Sequence, residues 1–158
     1  MTLSRKAAQV QEALDQFGIA LSVVELPEST RTAREAASAI GCQVGQIAKS
    51  LVFRRMDTDK AVLIIARGDH RVDVDFLSEQ LSERIEIADA DYVRNTTGFS
   101  IGGVPPVGHS QQLETYIDEG LLEFEVIWAA AGTPHAVFEL TPQQLLLVAQ
   151  GVTIPVTG

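Results

Sequence analysis

The stretch Gln46-Ile47-Ala48-Lys49-Ser50-Leu51-Val52-Phe53-Arg54, then the polar Arg55-Met56-Asp57-Thr58-Asp59-Lys60, then Ala61-Val62-Leu63-Ile64-Ile65-Ala66, decides the fold class. Both outer runs are apolar and β-rich, and the polar hexapeptide between them has the length of a hairpin connection. A hairpin makes its strands antiparallel, which a doubly wound parallel sheet does not allow. Helical stretches flank the pair without a strict strand–helix rhythm. The expected architecture is therefore α+β, a single domain over residues 1–158 with a mixed, mostly antiparallel sheet surrounded by helices.

Outward from that pair, residues 3–17 read as an amphipathic helix, with Val10, Ala13, Leu14 and Phe17 at i, i+3, i+4 and i+7 and Gly18 behind them. Leu21 to Leu26 reads as a strand closed by Pro27. Thr32 with Glu35 three residues on has capping-box spacing and opens a helix ended by Gly41. Asp73 and Asp89 each stand where an N-cap would start a short helix. Phe99–Ile101 reads as a strand, Gln111 to Ile117 as a helix, and Phe124 to Ala130 and Ala136 to Leu140 as strands. Thr141-Pro142-Gln143-Gln144 combines an N-cap threonine, an N1 proline and an N3 glutamine, so a last helix runs through Ala149.

Composition narrows the function classes. A hydrophobic fraction of 46% with 21% charged residues is that of an ordinary globular domain. No apolar run reaches the ~20 residues of a membrane span, and Met1 to Phe17 lacks a signal-peptide core, so the expected location is cytoplasmic. The single cysteine, Cys42, excludes an internal disulfide framework and reads as a small buried residue. The three histidines, His70, His109 and His135, lack metal-ligand spacing, and no metal or other cofactor is expected.

The net charge of −9 is unevenly spread. Residues 31–71 hold eight basic residues against four acidic ones, a net of +4, while the remainder carries four basic and 17 acidic, a net of −13. A basic segment in an acidic body disfavours indiscriminate binding to long polyanions but permits a local phosphate contact. A merely solvated face is the plainer reading of the same charges.

Two features invite chemistry. If the first strand alternates, Ile47, Lys49, Leu51 and Phe53 share a face, and Lys49 sits among large apolar side chains. A half-buried ammonium is costly unless paired, and it is a common device in active sites; the alternative is a lysine whose head snorkels to water. The second feature is Gly98-Phe99-Ser100-Ile101-Gly102-Gly103-Val104-Pro105-Pro106-Val107-Gly108-His109, a stiff, nearly uncharged loop whose shape is carried by main chain. No nucleophile elbow, phosphate-binding loop or dinucleotide fingerprint is present.

Gly45 to Phe53, Gly102-Gly103-Val104-Pro105-Pro106-Val107-Gly108 and Gly132-Thr133-Pro134-His135, in that order and separation, resemble the YbaK/ProX family. Its members are freestanding relatives of the editing domain inserted in bacterial prolyl-tRNA synthetases, and the similarity runs from about Thr30 to Ala149. The resemblance implies hydrolysis of mischarged aminoacyl-tRNA in trans, without a metal. It implies that Lys49 matches the family's essential lysine. Gly102 and Pro106 match the ends of a loop that shapes the aminoacyl pocket, with Gly103 and Val104 between them. Gly132, Thr133 and His135 fall where other members place pocket-lining groups. The implied partner is the acceptor end of an aminoacyl-tRNA, with an aminoacyl-tRNA synthetase as a further candidate.

That chemistry fits the residues at hand. An aminoacyl ester is already activated, so an enzyme need only place a water and stabilise a developing oxyanion with oriented dipoles and a charge. Arg31, Arg34, Arg54, Arg55 and Arg71, all in the basic segment, are the candidate phosphate contacts. Two alternatives stay open: a non-catalytic adaptor of the same fold that binds tRNA or a synthetase, and a hydrolase of small esters unconnected with tRNA.

Overall fold

The computed structural model describes residues 2–158. In chain order the elements are α1 (Arg5–Asp15), β1 (Val23–Glu25), α2 (Ala33–Ile40), β2 (Ile47–Arg55), β3 (Ala61–Arg67), α3 (Val74–Gln80), β4 (Ile85–Ile87), α4 (Ala90–Thr97), β5 (Glu114–Asp118), β6 (Ile127–Ala130), β7 (Ala136–Leu140), α5 (Pro142–Ala149) and β8 (Val152–Ile154). Short 3-10 turns at Val44–Gln46 and Glu119–Glu123 lead into β2 and out of β5.

β2 and β3 form the expected antiparallel hairpin, in register from Ala48 opposite Arg67 to Arg54 opposite Ala61. They lie at the centre of an eight-stranded sheet of order β1-β7-β6-β2-β3-β5-β8, with β4 added to the end of β2. The sheet is mixed. β1–β7, β6–β7, β2–β3 and β2–β4 are antiparallel, whereas β2–β6, β3–β5 and β5–β8 are parallel.

The alternation of side chains along β3 explains why its sequence is apolar throughout. Leu63 and Ile65 face a core completed by Val10 and Leu14 of α1, Phe138 of β7 and Leu145 of α5. Val62 and Ile64 face the opposite side, against Phe53, Leu77 of α3 and Ile85. These four β3 side chains are fully buried, each contributing about 1.5–3 kcal/mol relative to exposure. Ala36 and Ala37 of α2 pack on Ile47, where small residues let the helix lie close to the strand.

The helix starts follow the sequence signals. Thr32, Asp73 and Asp89 accept hydrogen bonds from the main-chain N–H of Glu35, Phe76 and Tyr92 at 3.1, 3.0 and 2.9 Å. Thr141 and Gln144 make a reciprocal capping box at 3.1 and 2.9 Å.

Two expected elements are different in kind. Gln111 to Ile117 is not a helix: Glu114–Asp118 is strand β5, paired in parallel with Val62 to Ile65. Its alternation places Thr115 and Ile117 inside, and the neighbouring strand rather than local propensity selects the extended form. Phe99–Ile101 is not a strand. The chain turns there after the C-cap at Gly98, and the Gly103 N–H donates to the Ser100 carbonyl at 3.0 Å. β1 and β6 are shorter than the runs read as strands, residues 124–126 ahead of β6 being irregular. Cys42 is half-buried rather than fully enclosed, and burial pushes its thiol pKa up.

One irregularity creates the site. β6 pairs with β2 only at Ile47 and Ala48, and β4 pairs with it only from Phe53 to Arg55. Between them, residues 49–52 of β2 have β3 on one side and no strand on the other.

Candidate active site

A cavity of about 390 Å³ occupies that interruption. Its wall includes Lys49, Ser50 and Val52 along the free edge of β2, Trp128 and Ala129 from β6, and Ile87 and Ala88 at the β4 end. Thr30, Arg31 and Ala36 close it from the α2 side, and Ile101, Gly102 and Val104 from the glycine–proline loop. Most of this surface is aliphatic and contributed by small residues, so the space suits a compact ligand with few polar groups.

Lys49 is half-buried, and its Nζ donates to the carbonyl oxygens of His70 at 2.8 Å and Gly68 at 3.4 Å. An ammonium has three donors, so one is left for a ligand. Burial lowers the Lys49 pKa, and the negative charges of Asp69 and Asp118 partly offset that effect. The turn that offers the two carbonyls is itself braced. Asp118, 1% exposed, accepts from His70 Nδ1 at 2.7 Å and from the main-chain N–H groups of Arg67 and Gly120 at 2.9 and 2.8 Å. Arg67 donates to Asp69 at 2.6 Å and also pairs with Glu123. The hydrogen bond from Arg67 holds the Asp69 carboxyl below its ordinary pKa.

The opposite wall is built on main chain. Gly102 has φ +89°, and a Cβ there would overlap the Arg31 side chain, so glycine serves both the backbone and the packing. Gly103 abuts the second glycine segment: a Cβ on it would lie 3.0 Å from main-chain atoms of Gly132 and Thr133, and the Gly132 N–H donates to the Gly103 carbonyl at 2.9 Å. Pro105 and Pro106, within the same loop, are buried.

His109 Nε2–H donates to the Pro105 carbonyl at 2.7 Å, and burial keeps the imidazole pKa below its ordinary value. The folded state therefore favours neutral His109. As pH falls below the ordinary imidazole value, the unfolded chain takes up a proton that the folded one resists. Stability then declines down to the lowered value and levels off beneath it. His109→Gln keeps a donor for Pro105 without the titration. Urea unfolding at about pH 7.5 and about pH 5.5 is expected to show a smaller acid-side loss for His109→Gln than for the parent.

Of the residues singled out from sequence, Lys49, Gly102 and Val104 meet at the cavity, and Arg31 stands in its wall. Gly103, Pro106 and Gly132 are buried just behind it. His135 is exposed and outside the wall; its ring Nδ1 lies 2.9 Å from the Glu28 carbonyl, and its N–H donates to Thr133 Oγ1 at 3.2 Å. That turn instead positions Thr30, whose N–H donates to the Pro134 carbonyl at 2.6 Å.

The arginines divide. Arg31, Arg34, Arg54 and Arg71 are exposed. Arg54 pairs with Asp59 and lies over the Tyr92 ring at 5.3 Å. Arg55 is committed to Glu83 at 2.9 Å and Glu114 at 2.6 Å, and its side chain is only 13% exposed. The Glu114 hydrogen bond raises its pKa above the ordinary guanidinium range. It clamps the end of β2 to the start of β5.

Several wall and support residues had no sequence signal of their own. Trp128 reads as core from composition, yet it is half-buried in the cavity wall. Asp118 and His70 lie 48 residues apart, and no spacing rule joins them. Among the described residues no group of three or more His, Cys, Asp or Glu side chains is gathered as metal ligands would be, and no helix is long and apolar enough to cross a membrane.

Fold and site together define an α+β domain with a small, largely apolar pocket between a half-buried lysine and a glycine–proline loop. The family model of the aminoacyl-tRNA editing domain matches residues 27–147, and the chain belongs to that family. It is 45% identical to a solved structure described as a "putative trans-editing enzyme for prolyl tRNA synthetase", with a TM-score of 0.92 over 99% of each chain. It is 35% identical over 123 residues to the protein YwhH of Bacillus subtilis, covering 78% of both chains. It is 28% identical over 131 residues to the "Putative Cys-tRNA(Pro)/Cys-tRNA(Cys) deacylase EbsC" of Enterococcus faecalis, covering 82% of this chain and 79% of that one.

Proposed function

We propose that the protein is a cytoplasmic trans-editing hydrolase that cleaves the ester of mischarged aminoacyl-tRNA. The observation that carries this reading is the Lys49 ammonium, braced on the His70 and Gly68 carbonyls, in the wall of a small apolar cavity faced by Gly102 and Val104. The water oxygen adds to the ester carbonyl carbon, and the negative charge that develops on the carbonyl oxygen is met by the remaining Lys49 donor and by main-chain N–H groups. The carbon–oxygen bond to the ribose then breaks, the ribose oxygen takes the proton that the attacking water gives up, and free amino acid and deacylated tRNA leave.

Small aliphatic walls favour small amino acids such as alanine, serine, threonine or cysteine, and proline tRNA is the leading acceptor. The relatives described as a "putative trans-editing enzyme for prolyl tRNA synthetase" and as a "Putative Cys-tRNA(Pro)/Cys-tRNA(Cys) deacylase" support that choice. The test is amino acid release from a panel of mischarged tRNAs. Release from at least one, above that from the same free aminoacyl ester, is expected; no release from any would overturn the reading.

Phosphate contacts fall to Arg31, Arg34 and Arg71, whose side chains are exposed, rather than to Arg54 and Arg55, which are held by carboxylates. Each alanine substitution among the first three is expected to weaken tRNA binding and to reduce the log–log salt slope by about 0.7–1. Binding titrations across a salt series check this, and a slope unchanged in all three would remove the contact.

A further inference from the structure

The interruption in the sheet leaves both main-chain polar groups of Ser50 turned toward the cavity. In an antiparallel pair, alternate residues direct both N–H and C=O to the partner strand. The Val52 carbonyl accepts from the Ala88 N–H at 3.0 Å, on the side away from β3. Ser50, two residues earlier, therefore also turns its N–H and C=O away from β3. On that side β6 has stopped at Ala48 and β4 has not begun until Phe53, so no strand residue pairs with Ser50. The side chain repeats the pattern: Ser50 Oγ is buried without a protein partner, as is Oγ1 of Thr30, and both residues are in the cavity wall. Polar groups buried in this way are costly unless a ligand completes them.

We infer that Ser50 binds the aminoacyl group of the substrate through its main chain, the aminoacyl group standing in for one residue of the absent strand. An aminoacyl ester carries its nitrogen, α-carbon and carbonyl in the same sequence as a peptide residue. It therefore forms the reciprocal pair of an antiparallel ladder: its α-ammonium donates to the Ser50 carbonyl, and its ester carbonyl accepts from the Ser50 N–H. That N–H then holds the oxygen on which charge develops, next in sequence to Lys49. The inference rests on the deacylase reading of the same cavity and adds which atoms hold the reacting group.

Hydrogen exchange followed by NMR tests it, with a non-hydrolysable analogue in which alanine is joined by an amide to 3′-amino-3′-deoxyadenosine. At saturation the Ser50 amide is expected to exchange at least about tenfold more slowly, whereas the Leu51 amide, already turned to β3, keeps its rate. The analogue lacking the α-amine is expected to bind about tenfold more weakly. Ser50→Ala should retain the slowed exchange at position 50, because the contact is main chain; its loss in that variant would assign the contact to the hydroxyl and overturn the inference. If the analogue shifts the Trp128 and Val104 signals but leaves Ser50 exchange unchanged, this inference fails and the deacylase reading stands. If no cavity residue responds to the analogue, both fail.

Discussion

Lys49→Ala is expected to lower kcat/KM for deacylation of the best mischarged tRNA by about 10²–10³-fold, the usual cost of removing one oriented donor from a developing oxyanion. The protein should remain folded. The ammonium is harder to charge in the folded state than in water, since burial depresses its pKa, so deleting it removes an unfavourable desolvation along with two hydrogen bonds. The freed carbonyls of Gly68 and His70 sit in a half-buried turn that water can solvate. The net change in stability is expected to stay within about 1 kcal/mol. Lys49→Arg should recover little activity, because the planar guanidinium cannot replace a compact ammonium held between two carbonyls. Single-turnover deacylation beside a thermal melt separates the two effects. Activity that survives Lys49→Ala would remove the lysine from the mechanism.

What could be read from sequence follows from how local each interaction is. The β2–β3 hairpin and the capped helices were legible because their signals lie within a few residues of the structures they make. β5 was not, since it becomes a strand by parallel pairing with residues some fifty positions earlier, Val62 with Glu114 for example. The three-residue strands β4 and β8 carry no local signal for the same reason.

The site divides along the same line. Lys49 was legible as a charge on an apolar face, and Gly102 as part of a glycine–proline loop. The cavity was not, because it exists only where β6 and β4 stop short of each other along β2. Ser50 is illegible for a different reason: its proposed role belongs to main-chain atoms that every residue carries. Arg55 shows the limit of counting charges. It raises the basic total of residues 31–71, yet Glu83 and Glu114 from distant elements bind it.

The largest effect on stability is expected at Gly68, which no catalytic motif includes. A Cβ there would overlap the carbonyl oxygen of Val44 and lie 3.1 Å from Ile47 Cβ and 3.2 Å from Ala33 Cβ. None of these is the far end of a flexible side chain. They belong to the 3-10 turn before β2, to β2 itself and to the first turn of α2, and all three would have to move. Gly68→Ala is therefore expected to cost about 3 kcal/mol or more, a fall in Tm of roughly 6–12 °C for a domain of this size. Gly18→Ala is the control for backbone strain without a clash. Gly18 has φ +69° and nothing within 4 Å of a Cβ, so a loss of only about 1 kcal/mol is expected. The two variants also separate in function. The Gly68 carbonyl accepts from Lys49, and the next two residues lead to the second acceptor at His70, so moving this turn displaces the ammonium. Gly68→Ala assayed well below its melting temperature should still lose deacylase activity, whereas Gly18→Ala should keep it. Equal melting temperatures for the two variants would show that the turn yields freely and that Lys49 is braced by something other than this packing.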